Sequence, residues 1–179
     1  MNTLGTFIEP DTIRFERLLP GPIERVWAYL TESDKKGKWL AAGDVEPRVG
    51  GKVELHFLHS DLSDHDDPIP WKHRDMEKGH SSFGRVTRWE PPHLLSYTWG
   101  EANGEESEVT FELEPDGDQV KLVLTHRRLG DDRNVHISVA AGWHTHLGIL
   151  SDRLNGHAPK GFWKVHTELE QVYTDQIIK

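Results

Sequence analysis

Histidines are the residues of this chain best suited to chemistry: there are 12 of them, and there is no cysteine. The lack of cysteine excludes disulfides, thiol nucleophiles and thiolate metal ligands. Histidine can act as an acid–base group, a metal ligand or a hydrogen-bonding group. What each histidine can do therefore depends on whether the predicted elements turn it toward the interior or toward water.

His126 has the most informative surroundings. It continues the alternating face of Val120, Leu122 and Leu124, where another aliphatic residue is expected. A buried polar side chain needs a partner, or it costs roughly 1–3 kcal/mol. The pattern leaves three roles open: contact with a ligand, a hydrogen bond to a neighbour such as Tyr97, or a place in water at the end of the sheet.

The other histidines show no metal-ligand spacing. His144 and His146 lie about 200° apart around a predicted helix, so they cannot share an ion. His65, His73 and His80 lie in a long loop with several aspartates, but their spacing matches no ligand pattern. We therefore expect no bound metal and no cofactor.

Catalytic motifs are absent from the sequence. Neither Gly-x-Ser-x-Gly nor His-Glu-x-x-His occurs, and Gly50-Gly51 is better explained as a turn than as part of a dinucleotide fingerprint. His126 is then the main acid–base candidate. An enzyme is the minority interpretation, and no catalytic residue is assigned.

Large apolar residues form the other candidate site. Seven tryptophans is a high count, and large rings line both cores and ligand pockets. Period-two alternation in strands and 3.6-residue spacing in the last long helix turn one set of side chains inward. Trp39 and Trp71 could cover the mouth of such a pocket. The remaining residues assigned to a ligand-binding cavity are Phe57, Tyr97, Trp99, Phe111, Leu124, His126, Trp143 and Leu147, and simple core packing is the alternative for each.

Charge and composition exclude some partners. The formal net charge of −9 argues against nucleic acid or an anionic membrane surface. No stretch approaches the length of a membrane span, and the N-terminus lacks the pattern of a secretory signal. We expect a cytoplasmic protein with one domain over residues 1–179.

Strands and helices that would position these residues can be read along the chain. Residues 1–10 look like a flexible lead-in, and the segment 60–80 is long, polar and acidic, as is common in functional or disordered connections. The predicted elements are a strand at 12–19, helices at 22–30 and 31–40, strands from 52 to 127, a long helix from 134 and further helical turns from 162.

Four short pieces, together and in this order, carry a family resemblance. They are Pro22-Ile23-Glu24-Arg25-Val26-Trp27 at a helix start, Val49-Gly50-Gly51 before a strand, Trp89-Glu90-Pro91-Pro92-His93-Leu94 followed by Tyr97-Thr98-Trp99, and Gly142-Trp143 in the last long helix. The chain resembles the SRPBCC superfamily of START-like, helix-grip domains. Within it, the chain is most similar to the branch named after the activator of heat-shock protein 90 ATPase.

This resemblance implies an α+β helix-grip fold. A curved seven-stranded antiparallel sheet would wrap around a long C-terminal helix, with two short helices after the first strand. The core pattern covers residues 12–154, so the acidic loop 60–80 and the helical extension 157–179 inherit no role. Members of the superfamily bind hydrophobic small molecules or lipids, and some are cyclases or hydrolases.

Three functions follow as hypotheses. The first is binding of a hydrophobic or aromatic small molecule, lipid-like or polyketide-like, in an internal cavity between the sheet and the C-terminal helix. The second is a co-chaperone-like interaction module with an acidic surface and an exposed apolar patch. The third is an enzyme of cyclase or hydrolase type on the same scaffold. A homodimer through the C-terminal tail or a sheet edge is compatible with all three.

Overall fold

A seven-stranded antiparallel sheet in the order β1-β2-β7-β6-β5-β4-β3 forms the centre of the molecule. The computed structural model describes residues 3–65, 67–100 and 107–177, so the ends of the predicted segments 1–10 and 157–179 and one residue of 60–80 lie outside it. The sheet is not closed, and the α+β helix-grip prediction is confirmed. The strands are β1 Thr6–Glu9, β2 Thr12–Pro20, β3 Lys52–Phe57, β4 His80–Glu90, β5 Leu94–Trp99, β6 Ser107–Asp116 and β7 Gln119–Arg127.

Two short and two long helices complete the fold: α1 Ile23–Thr31, α2 Ser33–Lys36, α3 Arg133–Leu154 and α4 Phe162–Ile177. The Asp132 side chain caps α3 by accepting a hydrogen bond from the backbone N–H of Asn134 at 2.9 Å. In the described part of the chain, no helix is long and apolar enough to cross a membrane.

The start of the chain differs from the prediction of a flexible lead-in. Thr6–Glu9 is a strand that turns back at Pro10-Asp11 and pairs with β2, with Phe7 opposite Ile13. Four residues with few large apolar side chains are too short a pattern to be read as a strand from sequence. The two short helices therefore follow the second strand instead of the first.

The core lies between the sheet and α3. The helix buries one stripe of side chains, as its spacing predicted: Ala140, Trp143, Leu147, Leu150 and Leu154. α4 packs on α3 and buries Phe162, Trp163 and Tyr173. The extension after residue 157 is therefore part of the packed body of the protein.

The connecting segment, residues 58–79, lies against α4. It contains two short 3₁₀ helices, His59–Leu62 and Trp71–Met76. The His59 ring packs 4.3 Å from the Phe162 ring, centroid to centroid. Asp67 Oδ2 accepts a hydrogen bond from the backbone N–H of Lys164 at 3.2 Å. These contacts hold the connecting segment to the first turns of α4.

Candidate ligand-binding cavity

A cavity of about 170 Å³ lies beside Trp143, between α3 and the sheet. Buried and half-buried side chains form its walls: Leu40, Trp99, His126, Trp143 and His146. Its mouth is formed by three more exposed residues of α3, Ser138, Val139 and Gly142. Pockets for drug-sized ligands measure about 300–1,000 Å³, whereas about 150 Å³ holds benzene. The cavity therefore has room for one aromatic ring.

Aromatic rings from β5, β7 and α3 line this cavity, and the predicted residues Phe111 of β6 and Tyr97 of β5 contact those rings without lining it. The Trp143 ring lies 5.0 Å from Trp99, 5.9 Å from Phe111 and 6.1 Å from His126, measured between centroids. Tyr97 stacks on Trp99 with centroids 6.2 Å apart. Tertiary structure thus brings together the rings that the alternation pattern turned inward.

Phe57 and the two predicted leucines lie further from the cavity. The Phe57 ring packs 5.9 Å from the Trp99 ring. Leu124 and Leu147 are fully buried and do not line the cavity. These three residues support the walls as core, which was the alternative considered for each.

His126 is held in a hydrogen-bonded chain. The Trp143 indole N–H donates to His126 Nδ1 at 2.9 Å, and His126 Nε2 lies 2.8 Å from Ser107 Oγ. Because Nδ1 accepts, the neutral ring carries its proton on Nε2 and donates to Ser107, whose hydroxyl donates to the Trp99 carbonyl at 3.2 Å. The partners are therefore Trp143 and Ser107, and the suggested bond to Tyr97 is not formed.

Burial fixes the charge state of His126. The residue is 1% exposed, and desolvation lowers its pKa to about 3. The ring is neutral near pH 7, and both of its nitrogens are already bonded. His126 therefore contributes a ring edge to the cavity wall, and the geometry gives no support to a role as acid–base catalyst.

His146 offers the cavity a hydrogen-bond acceptor. Its Nδ1 donates to the Trp39 carbonyl at 2.8 Å, so the neutral ring has its lone pair on Nε2. Burial lowers its pKa to about 4, which keeps the ring neutral. Sequence spacing bears on His146 only as a metal ligand, and it does not indicate this role.

The mouth residues were also missed, although helical spacing could have indicated them. Ser138, Gly142 and His146 are four residues apart on α3 and so share one face. A Cβ added to Gly142 would meet no atom of the described residues within 4 Å. Small residues at this spacing, beside a large ring at Trp143, are the signal of a gap in the packing. Leu40, from the loop after α2, gave no such signal.

The two tryptophans predicted at the mouth lie elsewhere. Trp39 is fully buried, and its indole N–H donates to the Tyr29 carbonyl at 2.7 Å. Trp71 is 78% exposed on the connecting segment, and the Arg74 guanidinium lies 4.2 Å above its ring. Trp71 is not among the residues that line the cavity. Trp39 does not cover the mouth because its indole is hydrogen-bonded within the core. Its position after the second helix does not reveal that bond.

The Tyr97 hydroxyl is a buried polar group beside the aromatic walls. Among the described residues it has no hydrogen-bond partner, and burial raises its pKa above the usual value. A buried hydroxyl without a partner costs stability. No charged side chain of the described residues lines the cavity, so the site suits a neutral aromatic group.

These features define a helix-grip protein with an aromatic-walled internal cavity. The sequence profile of the family described as Activator of Hsp90 ATPase homolog 1-like protein matches residues 20–155. The chain belongs to this family, within the SRPBCC superfamily, whose fold is a ligand-binding scaffold. No curated protein matches the chain.

Solved structures from bacteria share the fold. A Bordetella parapertussis protein, solved by NMR, is 45% identical with a TM-score of 0.79, over 95% of this chain and 88% of that chain. CalU16 from Micromonospora echinospora is 20% identical with a TM-score of 0.69, over 100% and 98% of the two chains. The Aha1 dimer from Colwellia psychrerythraea is 19% identical with a TM-score of 0.62, over 80% and 95%. The last two similarities show the fold alone.

Proposed function

We propose that this protein binds a small hydrophobic molecule in the cytoplasm and places an aromatic ring of that molecule in the cavity beside Trp143. The observation that carries the proposal is the cavity of about 170 Å³ lined by Trp99 and Trp143, with Gly142 at its mouth. Apolar burial would supply most of the affinity, at about 25 cal/mol per Å² before the costs of association. A lipid-like or polyketide-like ligand would leave its remaining atoms at the mouth.

Polar groups near the cavity favour a ligand with a hydroxyl. His146 Nε2 is an acceptor, because its Nδ1 is bonded to Trp39. The buried Tyr97 hydroxyl has no protein partner among the described residues. A phenol-type ligand could donate to His146 while its ring packs on Trp143. This assigns to His146 the orienting role that the sequence predicted for His126 or Tyr97.

Filling the cavity tests this function. Gly142→Leu puts a side chain into open space, so we expect it to reduce the affinity for phenol and 4-methylphenol at least tenfold without lowering the melting temperature. Val135→Leu adds bulk to an exposed position of the same helix and should leave affinity unchanged. Isothermal titration with both phenols measures the effect, and equal affinity in the two variants would refute the cavity as the site.

A co-chaperone-like function is the second candidate. The family description and the exposed ring of Trp71 on the acidic segment favour it. If it holds, the chain should stimulate the ATPase of a purified Hsp90-type chaperone, and Trp71→Ala should reduce the stimulation severalfold. An ATPase rate that stoichiometric protein leaves unchanged would argue against this candidate.

Self-association remains a prediction. The outer edge of β1 is one end of the sheet, whereas residues 42–46 already hydrogen-bond along the outer edge of β3. Val172 of α4 is 42% exposed. Either surface could pair two copies, as the sequence analysis suggested. Light scattering during size-exclusion chromatography measures the molar mass of the unaltered chain and of Val172→Glu. If the unaltered chain is a dimer and the variant is a monomer, α4 forms the interface.

A further inference from the structure

Three ligand-type side chains meet where the connecting segment lies against α4. His73 comes from the 3₁₀ helix Trp71–Met76, and His166 and Glu170 come from α4. His73 Nε2 lies 2.9 Å from Glu170 Oε1, and His166 Nδ1 lies 3.0 Å from the same oxygen. All three ligand atoms lie within 4.8 Å of one another.

Sequence alone could not show this cluster. His166 and Glu170 are four residues apart, so they share a face of α4. The third member, His73, is 97 residues from Glu170 along the chain. Within the loop, the spacing of His73 from His65 and His80 matches no ligand pattern, which is why no metal was predicted.

His166 supplies the second observation, because its buried Nδ1 faces the Glu170 carboxylate without an aligned hydrogen bond. The residue is 5% exposed, and Nδ1 makes no hydrogen bond, since the nearby Glu170 oxygen is not aligned with it despite the 3.0 Å distance. A cation between the two atoms would bond to both. In the present arrangement His166 Nδ1 is therefore a nitrogen ligand that a metal ion would bind.

Aromatic rings hold the two histidines in place. The Trp163 ring stacks on His73 with centroids 5.1 Å apart and planes at 23°. The Phe162 ring stacks on His166 at 5.4 Å and 24°. Lys72 pairs with Glu170 Oε2, which leaves Oε1 as the oxygen that faces both imidazoles. Such outer contacts orient metal ligands in known sites.

The ligand set matches zinc. Two imidazoles and one carboxylate, with a fourth position for water, are a known zinc arrangement with bonds of about 2.0–2.2 Å. Tetrahedral bonds of that length separate ligand atoms by about 3.4 Å, so the two contacts to Glu170 would lengthen slightly and the two imidazole nitrogens, at most 4.8 Å apart, would move closer together. Zinc would bind the lone pair of His73 Nε2, so the single proton of the neutral ring would move from Nε2, where it is now donated to Glu170, to Nδ1.

We propose that His73, His166 and Glu170 form a zinc site that fastens the connecting segment to α4. Two of the ligands belong to α4 and one to the segment, so the ion would join two parts of the chain that otherwise meet through ring packing and the Asp67 hydrogen bond. The role is structural, and it is independent of the cavity beside Trp143.

Zinc titration of the chelator-treated full chain tests the proposal. We expect one equivalent to bind, with a rise in melting temperature of roughly 5–10 °C at a hundredfold excess over Kd. Cobalt(II) should give the visible absorption of a four-coordinate site. Glu170→Gln and His73→Ala should each weaken zinc binding at least tenfold and remove the cobalt band.

Two variants serve as matched controls. His65→Ala removes an exposed histidine of the same segment, and Lys72→Met removes the charge beside Glu170 without removing a ligand. Both should bind zinc as tightly as the unaltered chain, or more tightly in the case of Lys72→Met. If the unaltered chain takes up no zinc, or if folded Glu170→Gln binds it equally well, the cluster is a hydrogen-bonded contact only and the proposal is overturned.

Discussion

Trp143 and His126 determine the character of the cavity at the scale of single residues. The indole N–H of Trp143 is used by His126 Nδ1, so the large ring presents only its apolar surface to a ligand. His126 in turn is neutral, because burial lowers its pKa to about 3. Trp143 and His126 could each have formed a hydrogen bond with a ligand, but they form one with each other instead.

His126→Leu should therefore destabilise the protein through Trp143. It leaves the buried indole N–H without an acceptor, which costs about 1–3 kcal/mol. Trp143→Phe in the same chain removes that unpaired group, so the double variant should be more stable than the sum of the two single effects. Urea denaturation of the four proteins measures the coupling, and strictly additive effects would mean that the hydrogen bond contributes nothing.

Sequence patterns at this scale predicted which rings face inward but not the hydrogen bonds that those rings form. Alternation turned Trp99 and His126 inward, and helical spacing did the same for Trp143. The partners of His126 could not be predicted, since Ser107 is on β6 and Trp143 is on α3, and the registry between these elements depends on the whole fold. His146 was missed for a similar reason, because its bond to Trp39 crosses 107 residues.

At the scale of elements, α4 depends on partners from distant parts of the chain. Asp67, in the connecting segment, accepts a hydrogen bond from the Lys164 N–H in the first turn of the helix. A carboxylate at this end also interacts favourably with the helix dipole. The start of α4 is thus stabilised by a residue almost 100 positions earlier.

Removal of this cap should be measurable. We expect Asp67→Ala to lower the free energy of unfolding by about 0.5–2 kcal/mol, the usual effect of losing an N-terminal cap. Asp64→Ala, at an exposed position of the same segment, should change it by no more than about 0.5 kcal/mol. Thermal denaturation of both variants gives the comparison, and equal stabilities would show that Asp67 does not cap the helix.

Tyr173 joins three elements through one hydroxyl. It accepts a hydrogen bond from the Gly5 N–H at 2.8 Å and lies 2.8 Å from His144 Nδ1. The contact links β1, α3 and α4, which explains how a short first strand is held at the edge of the sheet.

Tyr173→Phe should weaken the attachment of β1 to α3 and α4. The Gly5 N–H and His144 Nδ1 would lose their partner, at a cost of about 1–3 kcal/mol, and amide exchange in β1 should accelerate more than in β6. Val172→Ala, at the neighbouring exposed position, is the control and should leave β1 exchange unchanged. Protection of the Gly5 amide equal to that of the unaltered protein would contradict the assignment.

Neither β1 nor the packing of α4 could be predicted from sequence. Thr6–Glu9 is too short to show a period, and it is a strand because β2 is already there to pair with it. The apolar residues from Phe162 onward did predict helical turns. Their burial depends on a groove beside α3 that no local pattern describes.

Buried neutral histidines set the acid stability at the scale of the whole molecule. Desolvation lowers the pKa of His126 to about 3 and that of His146 to about 4, against about 6.5 in the unfolded chain. The unfolded chain therefore binds protons more readily below pH 6.5. Stability is highest above this value and falls as the pH drops toward the folded pKa values.

The expected loss at pH 5 is large. Each of the two histidines contributes about 2 kcal/mol, from 1.4 kcal/mol per pH unit over 1.5 units, against a total stability of about 5–15 kcal/mol. Burial also lowers the pKa values of His59, His144 and His166, so urea denaturation at pH 7.5 and pH 5 should show a drop of at least roughly 4 kcal/mol. Equal stability at the two pH values would mean that these rings are protonated in the folded protein.

The order of strands and the long apolar helix made the architecture predictable, because period and turn residues are local properties. The size of the cavity was not predictable in the same way. It depends on the absence of atoms beside Gly142, and that absence is fixed by how several elements pack around one ring.

The open space beside Gly142 has a consequence for the evolution of related proteins. No residue that the structure describes packs there, so a change of one residue could alter the size of the ligand while the sheet, the helix and their contacts stay as they are. During evolution, a substitution at this position could change the ligand specificity at little cost in stability. Related chains with similar folds and different residues here would then differ in what they bind, even where the rest of the wall is the same.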